Sequence, residues 1–373
     1  MAFRKRNVAI GRATAQSNSD VPVDRNPPGV RPSPLTSHPV TSTGAPSLDG
    51  LLGGHAGLAL GYSLLIEENG TTDFAGVLLK SYAAEGICQG QVLHVVGMGD
   101  AWVRDLPGIA EEKHRDKASR PAADEEKMKI AWRYERLGQA GERGALCTTS
   151  PTELPFTHTF DLTKKITIPQ DAKIDHIPIA PTSSPFDRIL QSLTQALATT
   201  SPSTIHRLVL PSLLSPALYP PTSTTPSNLL SFLRSLKSLL RQHSTRLTAL
   251  ITLPLELHPR SSGLVRWAEI LSDGVIELTP FPHLMDAAND LAQSSGARGV
   301  EEQPQGMVKV HKLPIITERG EGGAGVRNSM GEDLAFTVSR RKFVIKPFSL
   351  PPVEGDVEAQ QDGGKVTARD VEF

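Results

Sequence analysis

Short apolar runs separated by glycine-rich turns alternate with segments of helical periodicity from about residue 42 onward. Residues 62–67 read as a buried strand, residues 75–85 as a helix closed by Gly86, and residues 91–96 as a second apolar strand bounded by glycines. Strand, helix and strand in that order predict one βαβ unit with parallel strands. The rhythm continues with a helix over 187–198, a strand over 207–210 and a Pro/Ser/Thr segment over 214–227. A strong helix over 227–243, a strand over 247–253, a helix over 264–271 and a strand over 274–278 complete it. The fold class predicted is α/β: a twisted, mostly parallel sheet flanked by helices.

The ends of the chain break this rhythm. Residues 1–40 are rich in Pro, Ser, Asn and Asp with few apolar positions, so they are expected to form a leader without fixed structure. One domain is expected over 41–350, carrying a charged loop insertion at about 104–127 and a flexible loop at about 318–333. Residues 296–305 read as a further glycine-rich loop, and residues 351–373 return to tail composition.

Composition narrows the function classes. With 38% hydrophobic content in 373 residues the chain can build a large core, which excludes a fully disordered protein. Lys and Arg number 39 against 40 acidic residues, so any contact with a polyanion must come from a local patch. Cys88 and Cys147 are the only cysteines, too few for a disulfide framework or a four-ligand zinc site, and they fit a reducing compartment. No apolar run approaches the roughly 20 residues that span a bilayer, and no signal-peptide core follows the start, so no membrane role is expected. The expected location is cytoplasmic, with Arg4-Lys5-Arg6 a candidate for nuclear import.

The candidate chemistry lies around residues 42–73. Ser42-Thr43-Gly44, the glycines at 50, 53, 54, 57 and 61, and the strand after them resemble the approach to the phosphate-binding loop of RecA-like ATPases. Such a loop ends in Gly-Lys-Ser/Thr, because backbone N–H groups wrap the phosphates, the lysine neutralises them and the hydroxyl holds magnesium. Here the strand runs instead into Glu67, Glu68, Asn69, Gly70, Thr71, Thr72 and Asp73. One glycine, no lysine and three carboxylates make a loop expected to repel ATP. A metal held by Glu67, Glu68 and Asp73 would need a second cluster of oxygen ligands that the sequence does not identify. The strand expected to end in a magnesium-anchoring Asp is followed by Pro211-Ser212. Neither a cofactor nor a catalytic residue is expected.

Taken together the residues resemble a narrower group, the family of the fourth subunit of the Elongator complex, which is RecA-like without the phosphate-binding motif. Residues 42–61, the Glu67-Glu68 strand end, residues 128–134, 160–164, 274–278 and 335–352 carry the likeness. The resemblance implies a hetero-hexameric ring with Elongator subunits 5 and 6. It implies that this ring binds and releases tRNA while the larger catalytic subcomplex performs carboxymethyl-type modification of the wobble uridine. The alternatives are an active RecA-like ATPase with a diverged or shared nucleotide site, and a free-standing nucleic-acid-binding protein.

Two basic patches are candidates for tRNA contact or for an interface. Between residues 187 and 256 there is no acidic side chain, while Arg188, Arg207, Arg234, Lys237, Arg241 and Arg246 fall inside, so the stretch reads as a locally positive surface; on the 227–243 helix Leu229, Leu233, Leu236 and Leu240 form the expected buried stripe. Arg234, Lys237 and Arg241 form a basic stripe beside it, which reads first as a solvated flank whose stems cover the core edge and second as a grip for phosphates or an acidic subunit. Arg340, Arg341 and Lys342 are the second patch; strand alternation would send Arg340 and Lys342 to one face and Arg341 to the other. His158, His176, His206 and His258 show no ligand spacing and read as core or surface histidines. Ser212 and Ser215 lack the context of a nucleophile elbow.

Overall fold

A computed structural model describes residues 27–110, 155–281, 304–314, 333–339 and 341–348. Its strands are β1 Val30–Pro32, β2 Pro39–Thr41, β3 Leu58–Ala59, β4 Ser63–Glu68, β5 Val92–Val96, β6 Pro107–Ile109, β7 Phe160–Lys165 and β8 Ile174–Ile177. They continue as β9 His206–Leu210, β10 Leu247–Pro254, β11 Gly274–Pro280, β12 Gly306–Lys312, β13 Leu334–Val338 and β14 Phe343–Pro347. The helices are α1 Pro46–Leu51, α2 Phe74–Cys88, α3 Asp100–Arg104, α4 Asp187–Thr199, α5 Pro226–Gln242 and α6 Gly263–Leu271.

Among the described residues the main sheet has nine strands in the order β14-β13-β12-β11-β4-β10-β9-β5-β8. From β11 to β8 all neighbours are parallel, and β12 to β14 add an antiparallel meander at the other edge. The expected fold class, a mostly parallel sheet flanked by helices, is what the chain forms. The strands β4 and β5 are parallel as expected but lie apart, with β10 and β9 inserted between them.

Strand alternation splits the core in two. Leu64 and Ile66 of β4, Val209 and Leu250 pack with Leu78, Leu79 and Tyr82 of α2. Leu65 of β4, Leu208, Leu210 and Ile251 pack on the opposite face with α4, α5 and α6. The α5 stripe of Leu229, Leu233, Leu236 and Leu240 is buried as its spacing predicts.

Gly86 does not close α2. The helix runs past it to Cys88 and stops before Gly90, whose φ of +67° suits glycine. Gly86 is instead a clearance, because a Cβ there would stand 2.8 Å from Cδ of Arg207. Arg207, assigned above to a positive surface, is fully buried beneath α2. Its guanidinium donates to Gln91 Oε1 at 2.5 Å, the Ser42 carbonyl at 2.9 Å, the Tyr82 carbonyl at 3.1 Å and Thr41 Oγ1 at 2.6 Å. A buried cation with four of its five N–H donors bonded within the chain is a structural clamp, not a phosphate contact.

Three other expectations need correction. Residues 27–40 of the expected leader are structured, because β1 pairs with β2 and polar side chains tie them down. Arg31 lies 3.6 Å over the Phe156 ring, Ser33 Oγ is 2.7 Å from His55 Nδ1, and Thr41 Oγ1 donates to the Gly29 carbonyl. The start of the 104–127 insertion is also structured, since β6 pairs with β7. Residues 336–345 are not one strand but a hairpin: Ser339 N donates to the Lys342 carbonyl at 2.9 Å and reverses the chain between β13 and β14. The remaining leader, Cys147, residues 128–134, most of both loops, Arg340 and the tail lie outside the described residues.

Candidate functional site

The C-terminal end of β4 is where a phosphate-binding loop would follow, and two adjacent carboxylates end that strand. Alternation sends them to opposite faces of the sheet, so the acidic loop read as one feature in the sequence forms two separate sites.

Glu68 turns toward α2. Its Oε1 accepts hydrogen bonds from Thr72 Oγ1 at 2.7 Å and from the Phe74 amide at 2.9 Å, and its Oε2 accepts from the Ala75 amide at 2.7 Å. The first N–H groups of a helix have no partner within the helix and favour negative charge, which makes them the usual seat of a phosphate. Here the chain's own carboxylate sits on them. Burial raises the Glu68 carboxyl, while the amides of Ala75 and Phe74 and the Thr72 hydroxyl oppose that rise by stabilising its charge. Asp73 adds bulk at the same entrance, since a Cβ on Gly76 would fall 2.3 Å from its carboxylate oxygens.

Glu67 turns toward α6 and is fully buried. It lies in register with Glu277 of β11, and neither of its oxygens has a hydrogen-bond partner. Arg260, on the turn after β10, gathers three carboxylates. Its Nε donates to Glu269 Oε1 at 2.6 Å and stands 3.5 Å from Glu67 Oε2, and its Nη1 reaches Glu277 Oε2 at 3.4 Å. Burial, reinforced by the Glu269 carboxylate and only partly offset by Arg260, pushes Glu67 up to about 8. It is therefore protonated at neutral pH, the state a buried carboxyl beside two others adopts. Burial pushes Glu277 up as well, yet the 2.6 Å contact with His311 Nε2, with Lys309 and Arg260, holds it below its ordinary value. Asn69 Nδ2 donates to Glu277 Oε1, and the Gly70 amide to Glu256 Oε1 at 3.0 Å, so the loop itself is bound to the β10 and β11 ends. Thr71 is exposed.

The basic candidates are largely engaged within the chain. Arg241 donates to the Gly61 carbonyl at 2.9 Å and to Asp273 Oδ1 at 2.7 Å, with its guanidinium 4.0 Å over the Tyr62 ring. Lys237 donates to the Leu271 carbonyl at 3.0 Å. These two brace α5 against the start of β4 and the end of α6, while the Arg241 side chain stays exposed and Lys237 half-buried. Arg234 remains exposed, along a shallow groove with Ser227, Ser231 and Ser238. Arg341 and Lys342 are exposed on the β13–β14 hairpin, where the Arg341 carbonyl accepts from the Leu162 amide at 3.0 Å. Lys342 borders a cleft of about 250 Å³ that Phe160, Phe343 and Ala45 also line.

Several polar residues escaped the sequence reading. Glu277 carried a signal, a carboxylate inside an apolar strand; Arg260, Glu269 and His311 carried none. The histidines scattered in sequence are partly assembled: His206 Nδ1 lies 2.9 Å from His94 Nε2, and both rings are buried. Burial and the neighbouring His94 lower His206 to about 3, so it is neutral and part of the core.

Comparison with known proteins follows the same line. The family model described as PAXNEB protein matches residues 23–373. The chain is 35% identical over 348 residues to Elongator complex protein 4 of Schizosaccharomyces pombe, covering 88% of this chain and 90% of that one. It is 29% identical to the Saccharomyces cerevisiae protein of the same name, covering 93% and 81%. For the Homo sapiens protein, also Elongator complex protein 4, the figures are 27%, 87% and 80%. Among solved structures, a KaiC-like protein from Pyrococcus horikoshii OT3 aligns with a TM-score of 0.40 at 16% identity, over 83% of this chain and 99% of that one.

Proposed function

The chain belongs to the PAXNEB family, whose relatives above are named Elongator complex protein 4, and on that premise we propose that it is a non-catalytic Elongator subunit. In this reading it joins subunits 5 and 6 in a hetero-hexameric RecA-like ring that binds and releases tRNA during wobble-uridine modification by the larger catalytic subcomplex. The observation that carries the non-catalytic part is Glu68 seated on the Phe74 and Ala75 amides. Those amides would have to release a carboxylate before a triphosphate could approach, and Asp73 stands at the same entrance with no lysine in the 67–73 segment. The architecture of a nucleotide-handling sheet is kept while its anion seat is filled from within.

Arg234, Arg341 and Lys342 are the described, exposed cations that this reading assigns to tRNA or to a neighbouring subunit, and Arg340 is placed with them from sequence. Contact of this kind is charge-driven and weakly selective, with affinity falling as salt rises. The proposed location is cytoplasmic, with some nuclear entry through Arg4-Lys5-Arg6.

Co-expression of the full chain with subunits 5 and 6, followed by a mass measurement and a tRNA-binding series across salt, tests the assembly part. A particle with two copies of each subunit and salt-sensitive tRNA binding supports the proposal. A chain that stays apart from both subunits overturns it.

A further inference from the structure

β14 is the terminal strand of the main sheet, and its pairing with β13 uses only half of its backbone groups. Ser339 N donates to the Lys342 carbonyl and Phe348 N to the Asp333 carbonyl, so positions 342, 344, 346 and 348 exchange hydrogen bonds with β13. The N–H and C=O groups of Phe343 and Ile345 therefore point to the open side, where none of the described residues pairs with them. On that same side the Arg341 carbonyl accepts from the Leu162 amide, so β7 touches the edge at its first position and leaves the next ones open. Beside these open groups lies the cleft of about 250 Å³, walled by Ala45 and Pro46, Phe160 and Leu162 of β7, and Phe343 and Val344 of β14. Alternation puts Lys342 and Lys346 on the strand face opposite the buried Phe343 and Ile345. Both lysines are exposed, and neither ammonium group has a hydrogen-bonding or ionic partner among the described residues.

We propose that the open edge of β14 takes up an extended segment of another protein as one more strand, a segment in which apolar and acidic residues alternate. An edge that presents N–H and C=O groups in turn needs a partner carrying both along one line, which an extended backbone does and a phosphate chain does not. The side chains of an added strand alternate as those of β14 do. An apolar residue on one face would enter the cleft, while carboxylates on the other face would meet Lys342 and Lys346. A second copy of β14 is a poor occupant, because its lysines would face these lysines. A stacked nucleobase is disfavoured too, since Phe160 and Phe343 are only 5% and 7% exposed and Phe343 already stacks on Phe336. The inference goes beyond the assembly reading, because the edge, the cleft and both lysines belong to the lone chain.

The test titrates the full chain into a fluorescent peptide of about ten residues alternating leucine and glutamate, a length that spans the edge. Saturable binding is expected. Two further peptides carry N-methyl groups on the leucine amides or on the glutamate amides. Because an added strand turns only one of these sets toward β14, one peptide should lose affinity about tenfold or more and the other should keep it. Lys342→Glu/Lys346→Glu should weaken the leucine-glutamate peptide about tenfold and bind a leucine-lysine peptide in its place. Thermal unfolding of the double variant is the folding control and should match wild type, since both side chains are exposed. No saturable binding, or an equal effect of the two methylated peptides, overturns the proposal. So does displacement of the peptide by an oligouridine that binds more tightly, which would give the edge to RNA. A photo-crosslinker at position 344 that labels a second copy, or residues 349–373 of the same chain, overturns it as well. None of these outcomes alters entry into the complex with subunits 5 and 6, which the mass measurement reads separately.

Discussion

The carboxylate of Glu68 and the backbone amide of Ala75 meet at 2.7 Å, joining the end of β4 to the first turn of α2. With the Phe74 amide and the Thr72 hydroxyl the same side chain makes three hydrogen bonds. A carboxylate at a helix N-terminus satisfies orphan donors and complements the helix dipole, so its removal acts as loss of a strong cap. Glu68→Ala is expected to cost about 1–3 kcal/mol, read as a lowered midpoint in urea with unchanged m-value. Glu68→Gln, which keeps an acceptor, should lose less.

Glu67 sets a pH dependence with a definite sign. Its value is 4.5 in an unfolded chain and about 8 in the fold, so the native state holds an extra proton between those limits. The contribution is full below pH 4.5, declines as pH rises through the window and is gone above pH 8. Glu67→Gln should flatten that decline and be more stable than wild type at high pH by about 2–4 kcal/mol. Thermal unfolding across the window checks this; an unchanged slope would place the proton elsewhere.

Arg260 separates three carboxylates, and its removal leaves them facing one another. Because its guanidinium is about a third exposed, solvent moderates the effect, and Arg260→Met is expected to cost about 1–3 kcal/mol above pH 8 and clearly less near pH 5. Denaturant midpoints at the two pH values measure it. Combining it with Glu277→Gln should recover part of the loss.

Arg207→Met replaces the cation that links β9, β2 and α2 and strands several acceptors. Breaking a buried charge network of this kind costs about 3–5 kcal/mol, so the variant should unfold at a much lower temperature or fail to accumulate as soluble protein. Arg207→Lys should not rescue it, since one ammonium cannot span the four acceptors.

Charge reversal at Arg341 and Lys342, both exposed on the hairpin, should weaken tRNA retention and reduce its salt slope while leaving the assembled particle intact. Filter binding across salt with a parallel mass measurement reads both. Collapse of the particle would move these residues to an interface.

Sequence pattern made the framework legible because buried parallel strands are continuous apolar runs and the surface helices carry a clear stripe. The β4, β5, β9, β10 and β11 strands and the three helices over the second face all sit where periodicity puts them. What the pattern lacked was tertiary information. It could not separate Glu67 from Glu68, since their division depends on which sheet face each side chain meets. It took Arg207 for a surface charge because its partners lie 116 to 166 positions away in the chain. Gly86 resembled a helix stop, and only the passing Arg207 side chain explains a glycine inside α2. The strands of the leader were missed because they are held by polar contacts to Phe156, His55 and Gly29, not by an apolar face.

A calorimetric titration of magnesium-ATP into the full chain, carried to millimolar concentration, addresses the filled anion seat. With Glu68 on the α2 amides, no saturable heat is expected. Saturable, magnesium-dependent binding that maps to residues 70–74 would contradict it.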